Sequence, residues 1–169
     1  MIEVTVGRLG LDSSTNSHVV ILQERQGRRF LPIWIGQPEA EAIAAQVGGI
    51  KRERPMTHDL ARSLIIALGG VLRRVQITRV QASTYYAELH LLKADQLITV
   101  DARPSDSIAI ALRLSAPIFV QESLLTDPEG DDDREPGEPD LTPPPDAEGE
   151  QLKEYLQGLR PEDFGKFTL

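Results

Sequence analysis

The sequence predicts an α+β domain: a mixed sheet carrying three helices, followed by an acidic, proline-rich stretch and a short amphipathic helix. Three observations predict it. Apolar runs of strand length recur over the first 120 residues, and three other segments place apolar residues at helical spacing. The resulting order (strands, two helices, three strands, one helix, one strand) lacks the regular alternation of a doubly wound parallel sheet.

Met1-Ile2-Glu3-Val4-Thr5-Val6 alternates as a strand does, giving a first strand over residues 2 to 6. Residues 17 to 24 follow, and His18-Val19-Val20-Ile21-Leu22 is apolar enough for a buried strand, with His18 structural. Residues 30 to 35 extend the sheet. Gly36-Gln37-Pro38 then turns the chain into a helix over 38 to 47 whose Ala40, Ile43, Ala44 and Val47 share a face, and Gly48-Gly49 stops it. Thr57 suits the N-cap of a second helix with Leu60, Leu64, Ala67 and Leu68 as its buried stripe, ended by Gly69-Gly70. Strands over 71 to 80 and 84 to 92 form a hairpin around Ala82-Ser83, with Val71, Val75, Ile77, Tyr85, Ala87, Leu89 and Leu91 facing inward. Glu88 and His90 fall on the wet face and read as surface. A strand over 97 to 101 precedes a helix over 106 to 115, capped by Ser105 or Asp106; its Ile108-Ala109-Ile110-Ala111-Leu112 leaves almost no polar side, so it belongs at the centre. Residues 117 to 120 give the last strand.

The net charge of minus 8 is unevenly distributed. Residues 1 to 125 hold 14 basic and 12 acidic side chains, net plus 2, whereas 126 to 150 hold one Arg and 11 acids, net minus 10. The latter stretch also has six of the twelve prolines, so it reads as an extended, self-repelling linker whose carboxylates can compete with phosphates for a basic surface. Beyond it Leu152, Tyr155, Leu156 and Leu159 form the stripe of a short helix within 151 to 169, suited to docking on this chain or a neighbour. The domain proper spans 1 to 125. Between Lys51 and Arg79 seven basic residues face only two acids, a net of plus 5 that can neutralise phosphates or simply be a solvated face.

Cysteine is absent, which excludes disulfides, thiolate metal sites and a cysteine nucleophile. There is no P-loop, dinucleotide fingerprint, zinc-protease helix motif or Gly-x-Ser-x-Gly elbow. The start lacks a secretory layout and no apolar run approaches the ~18 residues of a membrane span, so a cytoplasmic protein with no membrane partner is expected.

Polar residues gather instead at element ends. Glu39 and Glu41 begin the first helix, where carboxylates complement the helix dipole or line a site. Thr57-His58-Asp59 opens the second; an imidazole there suits a general base, and equally a surface helix start. Asp101-Ala102-Arg103-Pro104-Ser105-Asp106 is the densest group. If its first three residues stay extended, Asp101 and Arg103 project to one side, with Asp106 at a helix mouth. Such carboxylates can hold a divalent cation and the guanidinium a phosphate oxygen, or the group can be an ion pair bracing a turn.

In order along the chain, Leu31-Pro32-Ile33-Trp34-Ile35-Gly36 with Glu39-Ala40, Arg54-Pro55-Met56-Thr57-His58-Asp59-Leu60, Thr84-Tyr85-Tyr86-Ala87 and Asp101-Ala102-Arg103-Pro104-Ser105-Asp106 closely resemble the bifunctional nuclease domain family. The likeness covers about residues 1 to 125, and Leu159-Arg160-Pro161-Glu162-Asp163-Phe164-Gly165 is similar to a tail found in some members; the acidic insert departs from it. The resemblance implies a compact, homo-oligomeric α+β domain that cuts DNA and RNA. It hands over motif positions, to which chemistry assigns roles. Asp59, Asp101 and Asp106 are metal-side carboxylates for magnesium or manganese, and His58 is the base or water positioner. Arg54 and Arg103 are phosphate clamps, Lys51, Arg52 and Arg74 bind substrate, and Glu39 is a secondary member. The rival expectations are a non-catalytic module binding nucleic acid or protein, and an oligomeric scaffold. All catalytic roles require the 39, 54 to 59 and 101 to 106 regions to meet in space.

Overall fold

The computed structural model describes residues 1–12 and 14–128. The acidic linker from 129 on and the helix expected within 151 to 169 lie outside the described residues. Seven strands form one sheet: β1 (Ile2–Asp12), β2 (Ser17–Glu24), β3 (Phe30–Ile35), β4 (Val71–Gln81), β5 (Thr84–Lys93), β6 (Gln96–Ala102) and β7 (Ile118–Val120). Their spatial order is β3-β2-β1-β7-β4-β5-β6. Every adjacent pair is antiparallel except β4 and β7, so the sheet is mixed. Three helices, α1 (Gln37–Val47), α2 (Thr57–Ala67) and α3 (Pro104–Leu114), complete the α+β domain.

The register explains the core. Leu22 lies opposite Leu31, Val20 opposite Ile33, Ile77 opposite Val120 and Ala87, and Val75 opposite Ile118 and Leu89. These side chains therefore share one face of the pleat. Ile43 of α1 and Ile108 to Ala111 of α3 pack onto that face in one continuous hydrophobic cluster. The alanines of α3 let it lie closely on β4 and β5, as its nearly all-apolar sequence predicts. Both tight hairpins turn through paired left-handed residues, Ala82 with Ser83 and Ala94 with Asp95, which match the twist of the flanking strands.

Several local expectations need correction. On α2 the larger apolar stripe is not the buried one. Leu60, Leu64 and Leu68 are exposed, as is Ala67, and the inward row is Ala61 with Ile65. The helix sits at the rim against α3, where a small residue permits close approach. On α1, Ala40 and Ile43 are buried but Ala44 and Val47 are exposed; Ala45 is covered instead, and the following loop folds back through the Ile50 amide to its carbonyl. The N-caps lie one or more residues earlier than expected: Met56 caps α2, and Arg103 caps α3, with Pro104 as its first helical residue. Thr57, Ser105 and Asp106 therefore stand inside their first turns. A register irregularity between Leu72 and Arg74 in β4 puts Leu72 in the core and leaves Val71 exposed. His90 is also no surface residue: it is 8% exposed, between β4 and β6.

Candidate active site

Helix starts build the site. Glu39, Asp59 and Asp106 are each the third residue of their helix, where a carboxylate faces the positive end of the helix dipole. Two cationic or proton-bearing side chains then join helices. Arg103 donates from Nε to Asp106 Oδ2 at 2.7 Å and from Nη2 to Asp106 Oδ1 at 3.2 Å, a fork on one carboxylate. The same Nη2 donates to Glu39 Oε1 at 2.7 Å, tying α1 to α3. His58 Nε2 lies 2.9 Å from Asp106 Oδ1, tying α2 to α3. Glu39, Arg103, Asp106 and His58 thus form one connected chain of polar side chains contributed by three separated segments.

Asp106 is held ionised. Burial pushes its carboxyl up, but the hydrogen bonds from Arg103 and His58 together outweigh burial and leave it below the ordinary carboxylate range. An ionised carboxylate only accepts, so the proton between it and the imidazole belongs to Nε2. In the neutral ring this leaves the lone pair on Nδ1. Arg103 is raised above its ordinary value by Asp106 first and Glu39 second. Its side chain is nevertheless 67% exposed, and among the described residues Nη1 makes no hydrogen bond, so one edge of the guanidinium stays open to an anion.

Asp59 points elsewhere. Its Oδ1 accepts from Arg113 Nε at 2.6 Å and its Oδ2 from the Met56 amide at 2.9 Å. The Arg113 bond, helped by that amide, lowers the Asp59 carboxyl. Arg113 is almost fully buried, donates also to Ala109 O, and locks the last turn of α3 to the first turn of α2. It is a residue that sequence reasoning passed over, because a basic side chain in a helix's last turn reads as an ordinary complement to the dipole.

A cleft of about 540 Å³ opens between α1, the loop after it and α2. His58, Asp59 and Arg113 line it, as do Lys51, Arg52 and Arg62 and the acidic Glu41 and Glu53. Regions 39, 54 to 59 and 101 to 106 therefore meet, through Glu39, His58, Arg103 and Asp106. Two expected members, Asp101 and Arg74, stand apart. Asp101 lies opposite Glu88 on the sheet face away from Ala87 and Ala102, and its carboxylate makes no hydrogen bond or ion pair among the described residues. Arg74 is on that same far face, opposite His90. Arg54 is in the loop before α2, between Glu53 and Pro55 of the lining; like Glu39, Arg103 and Asp106 it is not itself among the lining residues.

The donor set does not match the three-carboxylate metal site expected from the sequence. Among the described residues no three His, Asp or Glu side chains are grouped as a metal site. Asp59 and Asp106 are each already bonded to an arginine, whose charge opposes a cation, and Asp101 is on the other face. These three carboxylates do not fit a shared resident ion. No helix among the described residues is long and apolar enough to cross a membrane.

The fold and site define a class of protein: a single-sheet α+β domain in which a histidine, two carboxylates and a guanidinium are joined at helix starts, with the histidine also lining a cleft of mixed charge. The particular family follows from comparison. A profile of the bifunctional nuclease domain matches residues 20–131, and the chain belongs to that family. It is 44% identical over 162 residues to an uncharacterized protein of Mycobacterium tuberculosis, spanning 96% of this chain and 97% of that one. It is 31% identical over 121 residues to bifunctional nuclease 2 of Oryza sativa subsp. japonica, and 28% identical over 116 residues to bifunctional nuclease 1 of Arabidopsis thaliana. The matched segment is 70% and 67% of this chain but only 37% and 36% of those plant proteins.

Proposed function

We propose that this chain is a nuclease that hydrolyses phosphodiester bonds of both DNA and RNA, with His58 as its general base. The observation that carries the reading is the His58–Asp106 hydrogen bond of 2.9 Å, braced by Arg103, at the edge of the cleft. His58 Nδ1 takes a proton from a water that attacks phosphorus; the new P–O bond forms as the bond to one ester oxygen of the strand breaks, that oxygen takes a proton from solvent water, and the imidazolium then returns its own proton to solvent. Asp106 stabilises the imidazolium that results and keeps the ring oriented. Arg103, through Nη1, and Lys51, Arg52 and Arg62 at the cleft face the charge that develops on the phosphoryl oxygens. Because water is the nucleophile, the ribose 2′-hydroxyl is not required, which suits both nucleic acids. Magnesium or manganese enters this proposal as a companion of the substrate phosphates, the form in which magnesium is commonly held by one or two carboxylates. The protein would act in the cytoplasm.

Purified full-length protein, assayed on DNA and RNA with magnesium, manganese or chelator, tests the reading. Cutting that persists unchanged in both His58→Asn and Asp106→Asn removes it.

A second reading has its own support. Asp106 and Glu39 are both tied to Arg103, the arrangement of a structural brace, and this favours a binding module without catalysis. Salt-sensitive binding with no cutting under any metal would select it. We also propose a homo-oligomer, because β6 ends the sheet with its outer edge unpaired among the described residues and with Leu97, Ile98 and Val100 exposed.

A further inference from the structure

The shape and lining of the cleft speak to which form of nucleic acid enters it. The His58 side chain is only 12% exposed, so a phosphodiester must pass into the cleft to meet it. The volume, about 540 Å³, falls within the ~300–1,000 Å³ of sites that enclose one small-molecule-sized unit. A paired duplex keeps its bases stacked inside and its phosphates on two stiff rails. It can offer an outer phosphate, but to lay a base face in the cleft beside that phosphate it must unpair and unstack a nucleotide, a cost that is smallest for a strand already single.

The lining is divided in a way that matches an unpaired nucleotide. Lys51, Arg52 and Arg62 supply cations, which outnumber the lining carboxylates Glu41 and Glu53 left over once Asp59 is paired with Arg113. Ile50 and Met56, also in the lining, are 63% and 51% exposed and take no part in the hydrophobic core. Two large apolar side chains thus stand open in the cleft beside its cations. They are complementary to a ligand that has an anionic edge and an apolar face. A nucleotide out of its stack has both, and a flexible thioether adapts to any base. Aliphatic contact reads no hydrogen-bond pattern, so the fit is tolerant of sequence.

We propose that the cleft takes unpaired nucleic acid, DNA or RNA, with the phosphate toward Lys51, Arg52 and Arg62 and the base against Ile50 and Met56. The inference rests on the cleft being the site of hydrolysis, and its test separates the two. One fluorescent oligonucleotide, as DNA and as RNA, is presented to the full-length protein as a single strand and as a perfect duplex at equal ionic strength, with binding and cutting measured separately.

The single strand is expected to bind at least about 10-fold more tightly than the duplex. Ile50→Ser and Met56→Ser, both at exposed positions, should each weaken single-strand binding about 5-fold, leave duplex binding unchanged, and leave the salt slope unchanged because no phosphate contact is lost. Circular dichroism checks that both variants are folded; if either is not, Ile50→Thr and Met56→Gln carry the same comparison. Equal affinity for the two forms, or variants that bind single strands as the unaltered protein does, overturns the proposal. If single strands are preferred through Ile50 and Met56 but nothing is cut, this inference stands and the nuclease reading falls. If both forms are cut at equal rates, the nuclease reading stands and this inference falls.

Discussion

His58 and Asp106, 48 residues apart in the chain, meet with Nε2 2.9 Å from Oδ1, and this bond joins the first turns of α2 and α3. A carboxylate so placed does two jobs: it selects the ring tautomer and prepares the ring to carry a positive charge. Asp106→Asn should preserve the geometry yet lower the rate of phosphodiester cleavage about 10²–10⁴-fold, with His58→Asn at least as severe. The double variant should be no worse than His58→Asn alone, because the two act as one unit. Single-turnover rates on a labelled strand measure this, and additive losses would refute it.

The same carboxylate makes stability depend on pH. Asp106 has a folded-state value lowered from 3.8, so its contribution is fully present above the unfolded value and is lost as pH falls through the folded one. The unaltered protein should exceed Asp106→Asn in stability by roughly 1.5–3 kcal/mol at neutral pH, the scale of hydrogen bonds to a charged group. The gap should close in acid below the ordinary carboxylate range. Urea unfolding at pH 7 and in strong acid tests this; a gap that persists undiminished in acid would show that Asp106 acts through packing and not through its charge.

Gly36 offers a way to release Arg103 without touching it. A Cβ built on Gly36 would clash with Glu39 Oε2, while the backbone there has an ordinary negative φ of −72°. Gly36→Ala should therefore fold normally but push the Glu39 carboxylate off Arg103. If Glu39 positions that guanidinium, Gly36→Ala and Glu39→Gln should lower kcat by a similar factor, about 10-fold, with little change in melting temperature. A full rate in both variants would leave Glu39 a spectator.

How much of this was legible beforehand follows from what each signal measures. Strand runs and the apolar character of residues 108 to 112 report burial on a sheet, and the sheet and the central helix are as they predict. Clusters at element ends report where polar groups are affordable, and Glu39, His58, Arg103 and Asp106 do converge. Periodicity cannot rank two apolar faces of one helix. On α2 the Leu60 and Leu64 face is larger than the Ala61 and Ile65 face, yet the smaller one packs, because proximity to α3 decides. Strand alternation likewise put Asp101 and Arg103 on one side, and Arg103 is extended, but as the N-cap of α3 it spends its hydrogen bonds on Asp106 and Glu39 and makes none to Asp101.

That difference gives a sharp comparison. Asp101→Asn should keep most of the activity, within about 3-fold, while Asp106→Asn loses it. Arg113→Gln should act differently from both, by leaving Asp59 without its partner across α2 and α3. It should lower stability by roughly 2–3 kcal/mol while activity per folded molecule falls less than for Asp106→Asn. Magnesium and manganese titrations of all three variants, normalised to folded protein, decide it. If Asp101→Asn is as damaging as Asp106→Asn, the far face of the sheet takes part in the reaction after all.

The two sheet edges differ in a way that bears on assembly. At β3 the edge carries Pro32 and is partly covered where Phe30 bridges Thr126. At β6 seven residues run without proline or lysine, and nothing among the described residues pairs their outer side. Antiparallel pairing of two copies centred on Thr99 would set Ile98 of one opposite Val100 of the other, extending the core face without bringing like charges together. The full-length protein should therefore sediment as a dimer or larger. Val100→Lys and Ile98→Lys, which charge that edge, should weaken association at least about 10-fold while the fold persists, since both positions are exposed in the single chain. A monomeric unaltered protein, or lysine variants that associate as before, would count against β6 as the contact.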